Sequence, residues 1–169
     1  IFVESAARMA TRRDPWVNVL RGTLAAFAGA VGGADRITVA PFDQPLGISG
    51  KLARRLARNT QLILRDEAHL ARVIDPAGGS YFFERLSRDM AEAAWGVLQE
   101  VEAQGGVSHA LDSGWIRDRI DASHAARAKR VASRRLAVTG VSEFPSLSEE
   151  PPETVAFDAP AEAPSTTGS

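Results

Sequence analysis

The chain has no cysteine, one tyrosine and two methionines among its 169 residues, and no apolar run near the roughly 18 residues that a membrane span needs. Without cysteine there is no disulfide, no thiolate metal site and no cysteine nucleophile, and the cytoplasm is the default compartment. The opening Ile1-Phe2-Val3 lacks the basic-then-apolar order of a signal peptide. Because it does not start with Met, the sequence is expected to be an internal piece of something longer. Neither charge sign dominates: 20 basic and 21 acidic residues leave a net charge of -1, which supplies no general attraction for nucleic acid or an anionic membrane. His69, His109 and His124 stand far apart and form no H-x-x-x-H or H-x-E pattern, so no metal site is expected. Ser5, Ser49, Ser80 and Ser108 lack the G-x-S-x-G elbow of that hydrolase class.

A 44% hydrophobic and 24% charged composition is that of a globular unit, here with a tail. Ile1-Phe2-Val3 reads as a short buried strand, with Glu4-Ser5-Ala6-Ala7 at its C-terminal end. Asp14-Pro15 reads as a helix start. From there Val17, Leu20, Leu24, Phe27 and Val31 form an apolar stripe that stops at Gly32-Gly33. Arg36 to Phe42 is a second strand closed by proline, and Asp43 to Gly47 a polar loop. Ser49 is placed to cap a helix with Leu52, Leu56, Asn59 and Ile63 on one face. Arg72-Val73-Ile74-Asp75-Pro76 is the third strand candidate. Strand and helix alternating with short connections is the pattern of parallel βαβ units, and it fits either a segment of a (β/α)8 barrel or a doubly wound sheet. After Gly78-Gly79 the pattern is helical only: a stripe of Met90, Ala94, Val97 and Val101 ends at Gly105-Gly106, and a further helix runs from about Gly114 to Arg134. Leu136 to Val141 reads as a last extended segment. From Ser146 the chain is rich in Pro, Glu, Ala, Ser and Thr, the composition of a disordered tail or linker.

The unusual stretch is Leu56 to Glu84. Asn59-Thr60-Gln61 puts three hydrogen-bonding side chains into an amphipathic helix, and a buried polar group costs about 1–3 kcal/mol unless paired. Such a cluster either ties the helix to neighbouring loops or meets a ligand. Asp75-Pro76-Ala77-Gly78-Gly79-Ser80 follows the third strand candidate, where barrel loops build active sites. It has neither the lysine of a phosphate loop nor the spacing of a dinucleotide fingerprint. The basic run from Arg127 to Arg135 has few aromatic neighbours and reads as a solvated face or a seat for an acidic protein before it reads as RNA-binding. Asp66 and Glu67 are adjacent in sequence, a poor spacing for an acid-base pair.

Ala57-Arg58-Asn59-Thr60-Gln61-Leu62-Ile63-Leu64, Glu67, Arg72-Val73-Ile74-Asp75-Pro76 and Gly78-Gly79-Ser80-Tyr81 closely resemble the signature of the adenosylcobalamin-dependent methylmalonyl-CoA mutases. The resemblance runs from about Glu4 to Phe144. It implies an α/β fold, the C-terminal portion of a (β/α)8 TIM barrel followed by wrapping helices and a disordered tail. In those terms residues 1–84 are the last strands and helices of the barrel, 85–145 a helical linker, and 146–169 the tail or a linker to a missing cobalamin-type domain. The activity implied is radical isomerisation of methylmalonyl-CoA and succinyl-CoA.

Catalytic subunits of the family carry Gln-Thr-Ser-Gly where this chain has Glu4-Ser5-Ala6-Ala7. They also carry His-Thr-Asn and then Asp-Glu where it has Thr38-Val39-Ala40 and Asp43-Gln44. The resemblance therefore places altered cofactor-contact positions at Glu4, Ala40 and Gln44 and names no catalytic residue here. Met9 to Trp16 and Thr139 to Pro145 are similar to the small, non-catalytic subunit of the heterodimeric enzymes. The expected partners are the mutase large subunit and, in the complex, an acyl-CoA, with adenosylcobalamin in the holoenzyme and its direct binding by this chain impaired. The alternative is a catalytically active mutase chain in which other residues supply the lost contacts.

Overall fold

The structure is a computed structural model that describes residues 1–150 and 152. It divides into two compact units. The first holds residues 1–30, 34–72 and the described part of 146–169; the second holds 31–33 and 73–145.

The first unit is built on one parallel βαβ step. Strand β1 (Phe2–Glu4) and strand β2 (Arg36–Thr38) pair in parallel, with Val3 opposite Ile37 and Glu4 opposite Thr38. Helix α1 (Val17–Val31) connects them, as a parallel pair requires a crossover. The expected stripe of large apolar residues is not the side of α1 that packs. Its buried residues are Asn18, Ala26 and Gly29, whereas Leu20 is 65% and Leu24 67% exposed. Glycine eases that close approach: a Cβ on Gly29 would stand 3.3 Å from Val3 Cγ1 and 3.4 Å from Ile37 Cδ1, and one on Gly22 3.3 Å from Val39 Cγ1, contacts tight enough that the neighbours would have to give way. Small residues bring the helix backbone onto the two strands, and the large residues point the other way.

Asp14 does not cap α1 with its side chain. It takes a left-handed backbone, φ 45°, and its carbonyl accepts the Val17 N–H at 3.1 Å. Pro15 is fully buried behind it. Trp16 stacks on Phe42 with ring centroids 4.6 Å apart, a contact that adds about 0.5–1.5 kcal/mol to the burial of the two rings. After β2, helix α2 (Lys51–Leu62) starts from Gly50 and not from Ser49, with no side-chain cap on its own N-terminal residue. The Asp43 carboxylate takes over that role from the preceding loop, its Oδ2 accepting the Gly50 N–H at 2.8 Å. The packed side of α2 is also one residue away from the expected one, with Ala53 buried and Leu52 54% exposed. The helix continues as a π-helical turn, Ile63–Glu67, and a 3-10 turn, Leu70–Arg72.

The third strand expected at Arg72 to Pro76 does not form. Arg72 is drawn into the 3-10 turn, its N–H donating to the His69 carbonyl at 3.1 Å, and Pro76 has no N–H to offer a ladder. That leaves Val73 and Ile74, with Ile74 99% exposed. The fold among the described residues is therefore mixed helical with a small two-stranded parallel sheet, one βαβ step of an α/β architecture.

The second unit is helical: α3 (Tyr81–Ala103), α4 (Val107–Asp112) and α5 (Trp115–Ala132). Gly105 and Gly106 end α3 as the sequence predicts, with φ 92° and 90°, conformations that cost L side chains energy. Helix α4 packs against both α3 and α5 and buries Ala110 completely. Arg119 of α5 lies over the Trp115 ring, 4.8 Å from its centroid, and pairs with Glu100 of α3. The basic run after Arg127 spans the C-terminal end of α5, where cations meet the negative end of the helix dipole. The extended segment expected at Leu136 to Val141 is a turn: Val141 and Ser142 both donate to the Val138 carbonyl, and a bridge pairs Thr139 with Glu143. Of the tail read from Ser146, residues 151 and 153–169 lie outside the described residues.

Candidate functional site

The C-terminal ends of β1 and β2 lie side by side, the edge at which βα folds place ligand sites. Ser5 joins the two. Its N–H donates to the Thr38 carbonyl at 3.0 Å, and its Oγ accepts the Ala40 N–H at 2.8 Å. Behind this edge lies a cavity of about 20 Å³ lined by Ser5, Met9, Asn18, Arg21, Ala40 and Gln44, among others. A second, of about 10 Å³, lies between α1 and α2, and Ala40 and Thr60 are on its wall. Ala40 borders both.

Of the three altered positions, the structure thus brings Ala40 and Gln44 to one cavity. Glu4 is on the adjoining strand end, exposed, and does not line it. The larger of the two recesses has room among these residues for about one water molecule. Ala40 brings no side-chain donor or acceptor, and its N–H is already bonded. Gln44 brings a neutral amide in place of a carboxylate. Neither residue supplies the asparagine amide or the carboxylate that the resemblance implies for the adenosyl contact.

Two residues outside the three altered positions organise the edge. Asn18 is 5% exposed. Its Oδ1 accepts the Thr11 N–H at 3.0 Å and Arg21 Nη1 at 2.7 Å. Its Nδ2 donates to the carbonyls of Thr11 at 2.8 Å and Phe42 at 2.9 Å. One amide thereby ties together the loop after β1, helix α1 and the loop after β2. The available signal was an asparagine in the first turn of a 15-residue helix whose only charged residue is Arg21. Asp43 is the second, 1% exposed, with Oδ1 unpaired among the described residues. The Asn59-to-Gln61 cluster is spread out instead of gathered. Thr60 Oγ1 donates to the Leu56 carbonyl at 3.0 Å, and Asn59 Oδ1 meets the Arg58 guanidinium at 3.4 Å.

A protein-family model described as methylmalonyl-CoA mutase matches residues 1–166. The chain belongs to the methylmalonyl-CoA mutase family. It is 57% identical over 145 residues to the methylmalonyl-CoA mutase small subunit of Streptomyces virginiae, covering 86% of this chain and 24% of that protein. It is 48% identical over 153 residues to the small subunit from Propionibacterium freudenreichii subsp. shermanii, 90% of this chain and 24% of that protein. It is 35% identical over 148 residues to the mitochondrial methylmalonyl-CoA mutase of Bos taurus, 88% and 20%. The chain spans about a quarter of the length of the small subunits it matches. Among the described residues of this mutase-family chain, no group of His, Asp and Glu is arranged to hold a metal ion. No described helix is long and apolar enough to cross a membrane.

Proposed function

We propose that this chain is the closing portion of a (β/α)8 barrel, with the helices that follow it, in the small subunit of a heterodimeric methylmalonyl-CoA mutase. Its role is to pair with and stabilise the large subunit, which carries out the adenosylcobalamin-dependent radical isomerisation of methylmalonyl-CoA and succinyl-CoA. On this reading residues 1–84 complete the barrel, 85–145 form the helical linker, and the tail from Ser146 leads to a further domain. The assembly is cytoplasmic and takes its acyl-CoA at the large subunit.

The observation that carries the non-catalytic reading is the edge at Ala40. The Ala40 N–H is bonded to Ser5 Oγ, alanine brings no side-chain partner, and Gln44 offers no carboxylate. Membership of a larger barrel is supported by the side of α1 that faces away from its strands, where Leu20, Leu24 and Phe27 are exposed; a contiguous apolar helix face of this kind is covered in a larger body.

The test is mutase turnover with adenosylcobalamin by the complete subunit alone and then mixed with the large subunit. Turnover in the mixture and none with the subunit alone is the expected result. Turnover by the subunit alone would overturn the reading and make this an enzyme whose other residues replace the contacts missing at Ala40 and Gln44.

A further inference from the structure

The last described residues return to the start of α1. Glu149 Oε1 accepts the Asp14 N–H at 2.9 Å, across 135 positions of sequence. The Glu150 carbonyl accepts the Trp16 indole N–H at 3.4 Å. A helix start leaves N–H groups without intrahelical partners and carries partial positive charge, and α1 has no acidic residue of its own in its first turn. The N–H groups of Val17, Asn18 and Val19 turn back onto the carbonyls of Asp14, Pro15 and Trp16. The Asp14 N–H is the next group outward, and the carboxylate that meets it comes from the far end of the chain.

These two contacts lead into the strand-end edge. The Trp16 ring stacks on Phe42, the Phe42 carbonyl is held by Asn18, and Asp43 and Gln44 follow directly. The Gln44 N–H closes that loop by donating to the Pro41 carbonyl at 3.1 Å.

We propose that Ser146–Glu150 is a strap whose seating on Asp14 and Trp16 fixes the Ala40–Gln44 loop, so that the rigidity of the loop depends on where the segment after α5 is held. The surface formed by the Asp14 N–H and the Trp16 indole suits an extended acidic segment, one carboxylate and one carbonyl deep. The strap stands whether or not the chain catalyses, because it is a relation between a segment and a loop of the same unit.

Hydrogen exchange on the complete polypeptide, wild type against Glu149→Gln, tests it. Loss of the carboxylate from the helix start is expected to speed exchange roughly two- to fivefold at Asp14–Trp16 and also at Phe42–Gln44. The wild type in 1 M salt, where the screening length falls to about 3 Å, is expected to show the same local pattern without any substitution. Faster exchange confined to residues 146–150, with Gln44 unchanged, would overturn the proposal. A uniform rise across β1, β2 and α2 would overturn it too, since a strap loosens one loop and not the whole unit.

Discussion

Asn18 Nδ2 lies 2.9 Å from the Phe42 carbonyl and so fastens the first turn of α1 to the loop that follows β2. The same amide holds Thr11 through both of its heavy atoms, which makes one buried side chain the link between the two strand-end loops. Asn18→Ala takes a partner from the carbonyls of Thr11 and Phe42, from the Thr11 N–H and from the Arg21 guanidinium and is expected to cost about 1–3 kcal/mol. Asn18→Asp keeps the acceptor, loses both donations and sets a carboxylate against two carbonyls, so it is expected to destabilise as well. Denaturant unfolding of the complete subunit measures both. An unchanged midpoint in either variant would show that Asn18 does not hold the loops.

Gly29 and Gly96 make a matched pair with opposite outcomes. A Cβ on Gly29 meets Val3 and Ile37 within 3.4 Å, while one on Gly96, within α3, has nothing within 4 Å. Gly29→Ala requires Val3 and Ile37 to give by a few tenths of an ångström at the helix–strand contact and is expected to cost about 1 kcal/mol or more, as overpacking does. Gly96→Ala only restricts the unfolded chain and favours the helix, and is expected to add about 0.4–1 kcal/mol. Thermal unfolding of the two variants should move the midpoint in opposite directions.

The elements were largely legible in the sequence, because proline, glycine and apolar spacing mark where a chain turns. Two of the three expected strands and the long helices form where those signals put them, although the first leaves Ile1 74% and Phe2 75% exposed and the second ends at Thr38 and does not reach Phe42. The packed faces were not legible. Spacing shows that Leu20, Leu24 and Phe27 share a side of α1 but not which of two apolar sides lies on the strands; the closeness of the packing selected Gly22, Ala26 and Gly29 instead. Val73-Ile74 has strand composition, yet a strand exists only with a ladder partner, and the 3-10 turn ending at Arg72 takes the chain elsewhere. Ser49 is a good cap by type and was displaced by Asp43, a residue from the preceding loop. Ala40 and Gln44 are marked as altered contact positions by the resemblance alone, and the structure adds that both border one recess. The roles of Asn18 and Asp43 were not legible, since they lie in partners that only folding brings near.

Asp66 and Arg65 form an exposed bidentate pair, with Nε–Oδ1 at 2.8 Å and Nη2–Oδ2 at 3.0 Å. The hydrogen bond from Arg65, with added attraction from Arg65 and His69, holds the Asp66 carboxyl below its ordinary value of 3.8. A lowered folded value means that any stability from this pair is present above 3.8 and is lost as the pH falls through the folded value. Being exposed, the pair is screened by salt. Carboxyl titration by NMR at low ionic strength is expected to place Asp66 below 3.8, and Arg65→Gln to return it upward. An unmoved midpoint in that variant would show that the pair is not formed in solution.

Adenosylcobalamin binding by the complete small subunit alone, followed by absorbance in an equilibrium titration beside the large subunit, tests the central claim most directly. With no side-chain partner at Ala40 and no carboxylate at Gln44, saturable binding is expected from the large subunit and none at comparable cofactor concentration from this one. Binding by the small subunit alone, as tight as that of the large subunit, would contradict the account, because other residues would then have to supply the contacts that Ala40 and Gln44 lack.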